Sequence, residues 1–373
     1  MGDKQQNTIR IGFMGDFGLG PWHTSLLGEL GPGFLNANII RLLKDVDLAI
    51  GNFECTILEK KEQSERLSNL YISPDTVKSF NDANNLHFCL ANNHIADYGV
   101  KGINCTLRTL NEYGIYHFGA GNNYTEAIEP LKTTINGVVV GFICGAEFPY
   151  ANAKKHRCGS APLDTKRLIR QIRELKTQCD FVIVILHADE EFRDYPAPYR
   201  IRMSRKLVNK GADAVIQHHP HVVQGVEMYK GKIIAYSLGN WAFRIGDYQR
   251  SYKQTSYGLF LVLELSTGGS VQQLYKNYHI KINENHCPQL LSETEASIQS
   301  ERLEKLSRNL YSNRIVNSGW FGTCKEILFK ELMNIYYTLR KEGIGKCTNR
   351  LRHVIQEKLF WRQLVGLISL GKI

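Results

Sequence analysis

Residues 211 to 225 read Gly211-Ala212-Asp213-Ala214-Val215-Ile216-Gln217-His218-His219-Pro220-His221-Val222-Val223-Gln224-Gly225. Ahead of them, Ile201 to Lys210 has helical spacing and stops at Gly211, which can enter the left-handed region without a Cβ penalty and so end a helix. Ala214 to Ile216 is a short apolar run bounded by polar residues, the pattern of a buried strand. The histidines come directly after that strand. His219 and His221 are two residues apart, so in extended backbone both rings lie on one side and can reach one centre.

The same alternation runs from residue 9 to about 240. Strands are expected at Ile9 to Met14, Asp47 to Gly51, Leu86 to Ala91, Val138 to Cys144, Phe181 to Leu186 and Ile233 to Tyr236. Between them lie helical patterns: Asn36 to Asp45, a helix starting at Ser73-Pro74, Lys101 to Tyr113 ended by Gly114, and a helix capped by Asp164 with Leu168, Ile172 and Leu175 on one face. This predicts an α/β fold with a mainly parallel sheet covered by helices. Gly258 to Leu265 and Val271 to Ile280, separated by Ser-Thr-Gly-Gly, predict an antiparallel hairpin. Beyond Asn283 the pattern is helical. Ser292 and Glu295 resemble a capping box, and Ile327 to Leu339 and Leu351 to Leu370 are amphipathic.

The 373 residues carry a net charge of +10 and a pI near 9.0, which favours anionic partners. Residues 285 to 373 hold 14 Lys and Arg against 8 Asp and Glu, so most of the excess lies in the last quarter of the chain. That tail predicts contact with a membrane-associated complex or an anionic polymer. No nucleic-acid partner is expected, because no reading motif accompanies the charge. Nine scattered cysteines without a C-x-x-C pair indicate neither a disulfide framework nor a thiolate zinc site. The first residues lack the apolar core of a secretory signal, and the longest apolar runs fall far short of the roughly 20 residues that span a bilayer. A cytoplasmic protein, peripheral to the membrane at most, is the expectation.

Unusual polar residues follow the strand ends: Asp16, Asn52 and Glu54, Asn92-Asn93-His94, His187, His218 to His221, and Asn240. Singly, each has an ordinary explanation: Asp16 as a turn residue, Asn92-Asn93 as a helix cap, His187 as a core histidine. Together they repeat one habit at successive strand ends, which share an edge in a parallel sheet, and open α/β folds bind ligands at that edge. Hard oxygen and imidazole donors without cysteine suit a divalent metal: Mn, Fe, Zn or Mg. A dinucleotide site at Gly12 to Gly18 is excluded, since its glycines are spaced G-x-x-G-x-x-G.

Gly15-Asp16, Asn52-Phe53-Glu54, Ala91-Asn92-Asn93-His94-Ile95-Ala96-Asp97-Tyr98-Gly99, the stretch Gly211 to Gly225, and Tyr236-Ser237-Leu238-Gly239-Asn240-Trp241 resemble, in order, the motifs of the CapA or poly-gamma-glutamate capsule biosynthesis family. That family is similar to calcineurin-like metallophosphoesterases. The resemblance covers about residues 9 to 265. It implies a four-layer α/β/β/α sandwich, a metallophosphoesterase-like domain placed at 1–284; the helical pattern beyond it, outside the resemblance, adds a C-terminal helical appendage, a basic helical region at 285–373. It further implies a centre of two divalent ions, with Asp16, Glu54, Asn93, His187, His219 and His221 as ligands, His94 facing substrate and Asp97 orienting it. The function implied is a metal-dependent hydrolase of the phosphoesterase kind, acting on an anionic polymer or phosphorylated substrate; the alternative is a non-catalytic binding or assembly component. Three positions depart from the pattern. Asp189 stands in a substituted His-Trp-Gly-x-Glu-Tyr motif, as an extra ligand or a turn residue, and Gln217 and Arg200 replace the usual glycine and glutamine.

Overall fold

A computed structural model of the chain describes residues 7–23, 25, 35–60, 62, 64, 69–80, 85–244, 252–267, 273–342, 344, 346 and 348. Two large sheets dominate. The eight-stranded sheet runs Pro288–Leu290, Gln273–Ile282, Tyr257–Ser266, Thr8–Gly18, Leu48–Asn52, Leu86–Cys89, His117–Phe118, with Asn240–Phe243 pairing the end of Thr8–Gly18. The six-stranded sheet runs Val226–Tyr229, Lys232–Ala235, Ala214–His218, Phe181–His187, Val138–Ala146, Leu131–Ile135.

The expected mainly parallel sheet is corrected to two mixed sheets. Parallel pairing holds from Thr8–Gly18 through His117–Phe118 and from Val138–Ala146 through Lys232–Ala235. The flanks pair antiparallel, as hairpins except where Tyr257–Ser266 meets Thr8–Gly18. Two of these turn on Asn136-Gly137 and Lys230-Gly231, where both residues have positive φ, the twist that a tight hairpin requires.

Side-chain alternation explains the unbroken apolar runs. Phe181, Ile183 and Ile185 join Ile11, Phe13, Ile50, Phe142, Ile216 and Leu261 in a core built from strands of both sheets. Val182, Val184 and Leu186 point the other way, onto Leu168, Ile172 and Leu207 of helices Thr165–Leu175 and Pro198–Asn209. The eight-stranded sheet likewise packs Phe88 and Phe260 with Ile39, Leu43, Ile103 and Leu110 of helices Ala37–Lys44 and Gly99–Glu112. Strands buried on both faces have no polar face to show in sequence.

Local signals resolve individually. Asp164 accepts hydrogen bonds from the N–H groups of Lys166 and Arg167, and Ser292 with Glu295 forms a complete capping box. Ser73 makes no side-chain cap, and the helix after it is only Pro74–Val77, followed by a 3₁₀ turn. The change of character at residue 285 is not the end of the packed body. Pro288–Leu290 still pairs with Gln273–Ile282, and helix Glu293–Asn309 buries Leu303 in the core shared by the sheets. Helix Asn313–Glu342 contains the Ile327 to Leu339 segment and buries Val316, Trp320 and Cys324. Leu351 to Leu370 lies outside the described residues, as do the first residues of the expected strand from Val271.

Register sets the polar residues side by side at one edge. Asp16 is opposite Asn52 on one side and Asn240 on the other, Asn52 is opposite Cys89, and His187 is opposite His218. Gly239 completes the arrangement: its φ is +66°, its carbonyl accepts the Asp16 N–H at 2.9 Å, and a Cβ there would lie 2.6 Å from Tyr257 O. Only glycine fits between those two strands.

Candidate metal centre

At this edge the six residues expected as ligands converge. Asp16, Glu54 and His187 are fully buried, and Asn93, His219 and His221 are nearly so. Glu54 Oε1 lies 3.5 Å from His187 Nε2, 3.7 Å from His94 Nε2 and 3.8 Å from His221 Nε2. Asp16 Oδ2 is 3.3 Å from His221 Nδ1, and Asn93 Oδ1 is 2.7 Å from His187 Nε2. The rings of His187 and His219 are 4.9 Å apart. His219 and His221 reach the cluster through a left-handed turn, with φ of +100° and +56°, and not through extended backbone as their spacing suggests. Backbone held in that region by non-glycine residues is costly and concentrates at functional sites.

His94 stands at the open side, its side chain 23% exposed, while Asp97 behind it is buried. The Asp97 carboxylate accepts from His94 Nδ1 at 2.6 Å, which fixes the ring and leaves Nε2 toward Glu54.

The cluster fits a cation. Two donors each about 2.1 Å from a tetrahedral ion are about 3.4 Å apart, close to the separations around Glu54 Oε1. That oxygen and His219 Nδ1 are buried without a hydrogen-bond partner. Two groups, Glu54 with His219 and His221, and Asp16 with Glu54 and His187, place their ligand atoms within 4.8 Å of one another and could hold a metal ion. Glu54 belongs to both.

Without a cation, protons compensate the carboxylates. Burial opposes a charge on His221, but Glu54 and Asp16 beside it push its pKa up to about 10. Burial, with Asp16 nearby, holds Glu54 well above the carboxylate range. Burial acts on Asp16 in the same sense, but hydrogen bonds from His218 and His221 bring it well below that range. Burial and neighbouring imidazoles keep His187 and His219 neutral, as ligands must be. His221 therefore keeps its proton from its ordinary 6.5 up to about 10, and a cation has to displace it. Apparent cation affinity is expected to rise with pH across that window, by about tenfold per unit for each proton displaced. Calorimetric titration of the metal-stripped chain in buffers of different ionisation enthalpy checks this; a pH-independent affinity contradicts it.

Three further residues join the cluster without having been assigned a role from sequence. Asn52 Nδ2 lies 2.8 Å from Asp16 Oδ1 and 3.1 Å from His187 Nδ1. His218 Nδ1 is 3.1 Å from Asp16 Oδ1. Asn240 Oδ1 is 2.9 Å from His221 Nδ1, while its Nδ2 donates to Thr255 O, so it orients the ring. Their position at strand ends was the available signal. Asn92 is structural: it bridges Phe53 O and the Ile95 N–H. Asp189 is a turn residue, its carboxylate accepting from the N–H groups of Glu190 and Ala197. Gln217 donates to Ser204 Oγ, and Arg200, buried, pairs with Glu147. These two substitutions serve helix packing and an ion pair beside the centre.

The profile described as bacterial capsule synthesis protein PGA_cap matches residues 10–244. The chain is 31% identical over 258 residues to the capsule biosynthesis protein CapA of Bacillus anthracis, covering 65% of this chain and 62% of that protein. It is 30% identical over 248 residues to the PGA biosynthesis protein CapA of Bacillus subtilis strain 168, covering 64% of each. The chain thus spans somewhat less than two thirds of the length of these relatives. Among solved structures it is similar to a 5′-nucleotidase precursor from Thermus thermophilus, with a TM-score of 0.45, 12% identity, and coverage of 82% of this chain and 59% of that one. All the residues of the cluster fall inside the matched span, and the chain belongs to the bacterial capsule synthesis protein PGA_cap family.

Proposed function

We propose that the chain is a metal-dependent hydrolase, a phosphoesterase acting on a phosphorylated substrate or anionic polymer in capsular polymer synthesis. Its body is then a four-layer α/β/β/α sandwich of the metallophosphoesterase type. The three apolar cores support that architecture, one built from both sheets and one between each sheet and its helices. The observation that carries the function is Glu54, whose Oε1 is buried without a hydrogen-bond partner and which belongs to both donor groups.

In this reading Glu54 would serve both of two divalent ions, Mn, Fe, Zn or Mg, held by the two donor groups it joins: Asp16 and His187, with Asn93 beside His187, and His219 and His221. Bound there, the ions supply Lewis acidity and a water of lowered pKa. The chain does the rest. Asn240 and Asn52 hold the His221 and His187 rings in place. Asp97 holds His94, which stands at the open side with its Nε2 toward Glu54 and would give a proton to the leaving oxygen. Phe148 lies against the His187 and His219 rings and keeps bulk water from them. Residues 1–284 carry the centre, and the basic region 285–373 makes partner contacts. A cytoplasmic location belongs to the same proposal. It is supported by the scattered cysteines, of which Cys55, Cys89 and Cys144 are buried free thiols.

The relatives' names speak of capsule and PGA biosynthesis and of no hydrolysis, which favours as second reading an assembly component that does not turn over. The chain loaded with Mn is expected to hydrolyse p-nitrophenyl phosphate or its diester, and Asp16→Asn and His219→Ala to lose metal and activity in parallel. Stoichiometric metal without turnover on either ester selects the assembly reading instead.

A further inference from the structure

The donors of the centre come from both sheets. Asp16, Glu54 and Asn93 stand at or just beyond strand ends of the eight-stranded sheet, and His187, His219 and His221 at or beyond those of the six-stranded one. Two side chains that the centre does not use lie buried in the apolar seam between the sheets, the free thiols of Cys89 and Cys144.

Register brings the two together. Cys89 ends Leu86–Cys89 and is opposite Phe118, while Cys144 lies two residues beyond Phe142 on Val138–Ala146 and so shares its face. The Phe118 and Phe142 rings meet across the seam with centroids 6.2 Å apart. Beside them the Cys89 and Cys144 thiols share a hydrogen bond. Gly119 lets the chain pass between them: its φ is +94°, and a Cβ there would lie 2.8 Å from Cys144 Sγ and 2.9 Å from Ala91 N. Each cysteine also stands close behind a donor. Cys89 O accepts the N–H of Phe53, next to Glu54, at 2.9 Å, and Cys144 is opposite Ile185, two residues before His187.

We infer that Cys89 and Cys144 are a disulfide site, and that in oxidising surroundings the bond fastens the two sheets directly behind the centre. The oxidant is a small disulfide. One cysteine thiolate attacks it, forms a mixed disulfide and releases a small thiolate; the other cysteine attacks the protein sulfur of that mixed disulfide and releases the second. Both cysteines are oxidised, the small disulfide is reduced to two thiols, and the two cysteine protons end on those thiols. Burial, with Cys144 beside it, pushes the Cys89 thiol well up, so few thiolates form in the folded chain. The bond therefore closes while the chain folds or transiently opens, and once closed it is shielded from reductants. In a reducing cytosol the pair stays as two thiols, so its state reports the compartment in which the chain folds. Nothing in this rests on the hydrolytic reading.

The full metal-free chain, held in glutathione buffer at a guanidinium chloride concentration just below its unfolding midpoint and then returned to native buffer, tests this. Proteolysis without reduction is expected to yield a peptide pair joined through Cys89 and Cys144. The bond encloses about 55 residues, and in a chain of this length such a cross-link should raise the melting midpoint by about 5 °C over the chain treated with dithiothreitol. Cys89→Ala and Cys144→Ala should each abolish the joined peptides and the dependence of the midpoint on the redox buffer. Thiols that stay reduced, or that bond to other cysteines instead, overturn the proposal, and the peptide map of the wild-type chain decides this even where a variant fails to fold. A Cys89–Cys144 bond that leaves the midpoint unchanged or lowers it overturns the fastening role. Neither readout involves turnover, so a chain that hydrolyses neither nitrophenyl ester sinks the catalytic reading and leaves this one standing.

Discussion

Glu54→Gln is expected to give a folded chain that cannot hold its cations. In the metal-free protein burial and the neighbouring Asp16 hold the Glu54 carboxyl well above the usual carboxylate range. The amide preserves the shape and carries no charge to desolvate, and the melting temperature of the metal-free variant should stay within a few degrees of wild type. The cation, however, loses the carboxylate common to both donor groups. Replacing residues that merely orient a ligand costs roughly 10- to 100-fold in metal affinity, so loss of a shared ligand should cost at least about a hundredfold. Elemental analysis after dialysis should find little metal, and hydrolysis should fall with it. A variant that keeps its full complement would remove Glu54 from the centre and with it the reading of two ions sharing one carboxylate.

His94→Ala should separate chemistry from metal binding. His94 is the exposed member of the cluster, and its Nδ1 is committed to Asp97. If it transfers a proton to the leaving oxygen, its removal should lower kcat by about 10²- to 10⁴-fold, the range for a positioned acid or base, with metal content unchanged. The loss should be smallest for leaving groups of low pKa, which need no proton. Asp97→Asn should give a milder defect and an altered pH profile, because the ring is then held without a carboxylate. Loss of metal in His94→Ala would instead make His94 a ligand, since its Nε2 is only 3.7 Å from Glu54 Oε1.

Much of this arrangement is legible in the sequence because parallel strands end at a common edge. Asp16, Glu54, Asn93, His187, His219 and His221 are scattered over roughly two hundred residues, yet each follows a buried apolar run, and register then sets them side by side. What escaped was set by tertiary contacts. Leu131–Ile135 is half exposed and lacks a buried apolar run, so the strand before the Asn136-Gly137 turn was missed. The antiparallel pairing of Thr8–Gly18 with Tyr257–Ser266 joins segments far apart in the chain, which no local pattern encodes. Asn52, His218 and Asn240 were visible as polar residues at strand ends. Their roles depend on which atoms meet, and spacing along the chain does not carry that. Ser73 shows the opposite case: the residue type suits a cap, but its hydroxyl pairs with Thr76 Oγ1 and not with backbone. The basic tail encouraged a boundary near 285, whereas Leu303, spaced like any amphipathic residue, is buried in the core shared by both sheets.

The central claim is that the buried donors around Glu54 are a binding site for divalent ions. Anomalous diffraction from crystals of the chain grown with Mn tests it most directly. Two peaks are expected beside Glu54, one toward Asp16 and His187 and one toward His219 and His221. Side chains converging on Glu54 with no anomalous density between them, at a Mn concentration that saturates the protein in solution, would contradict it.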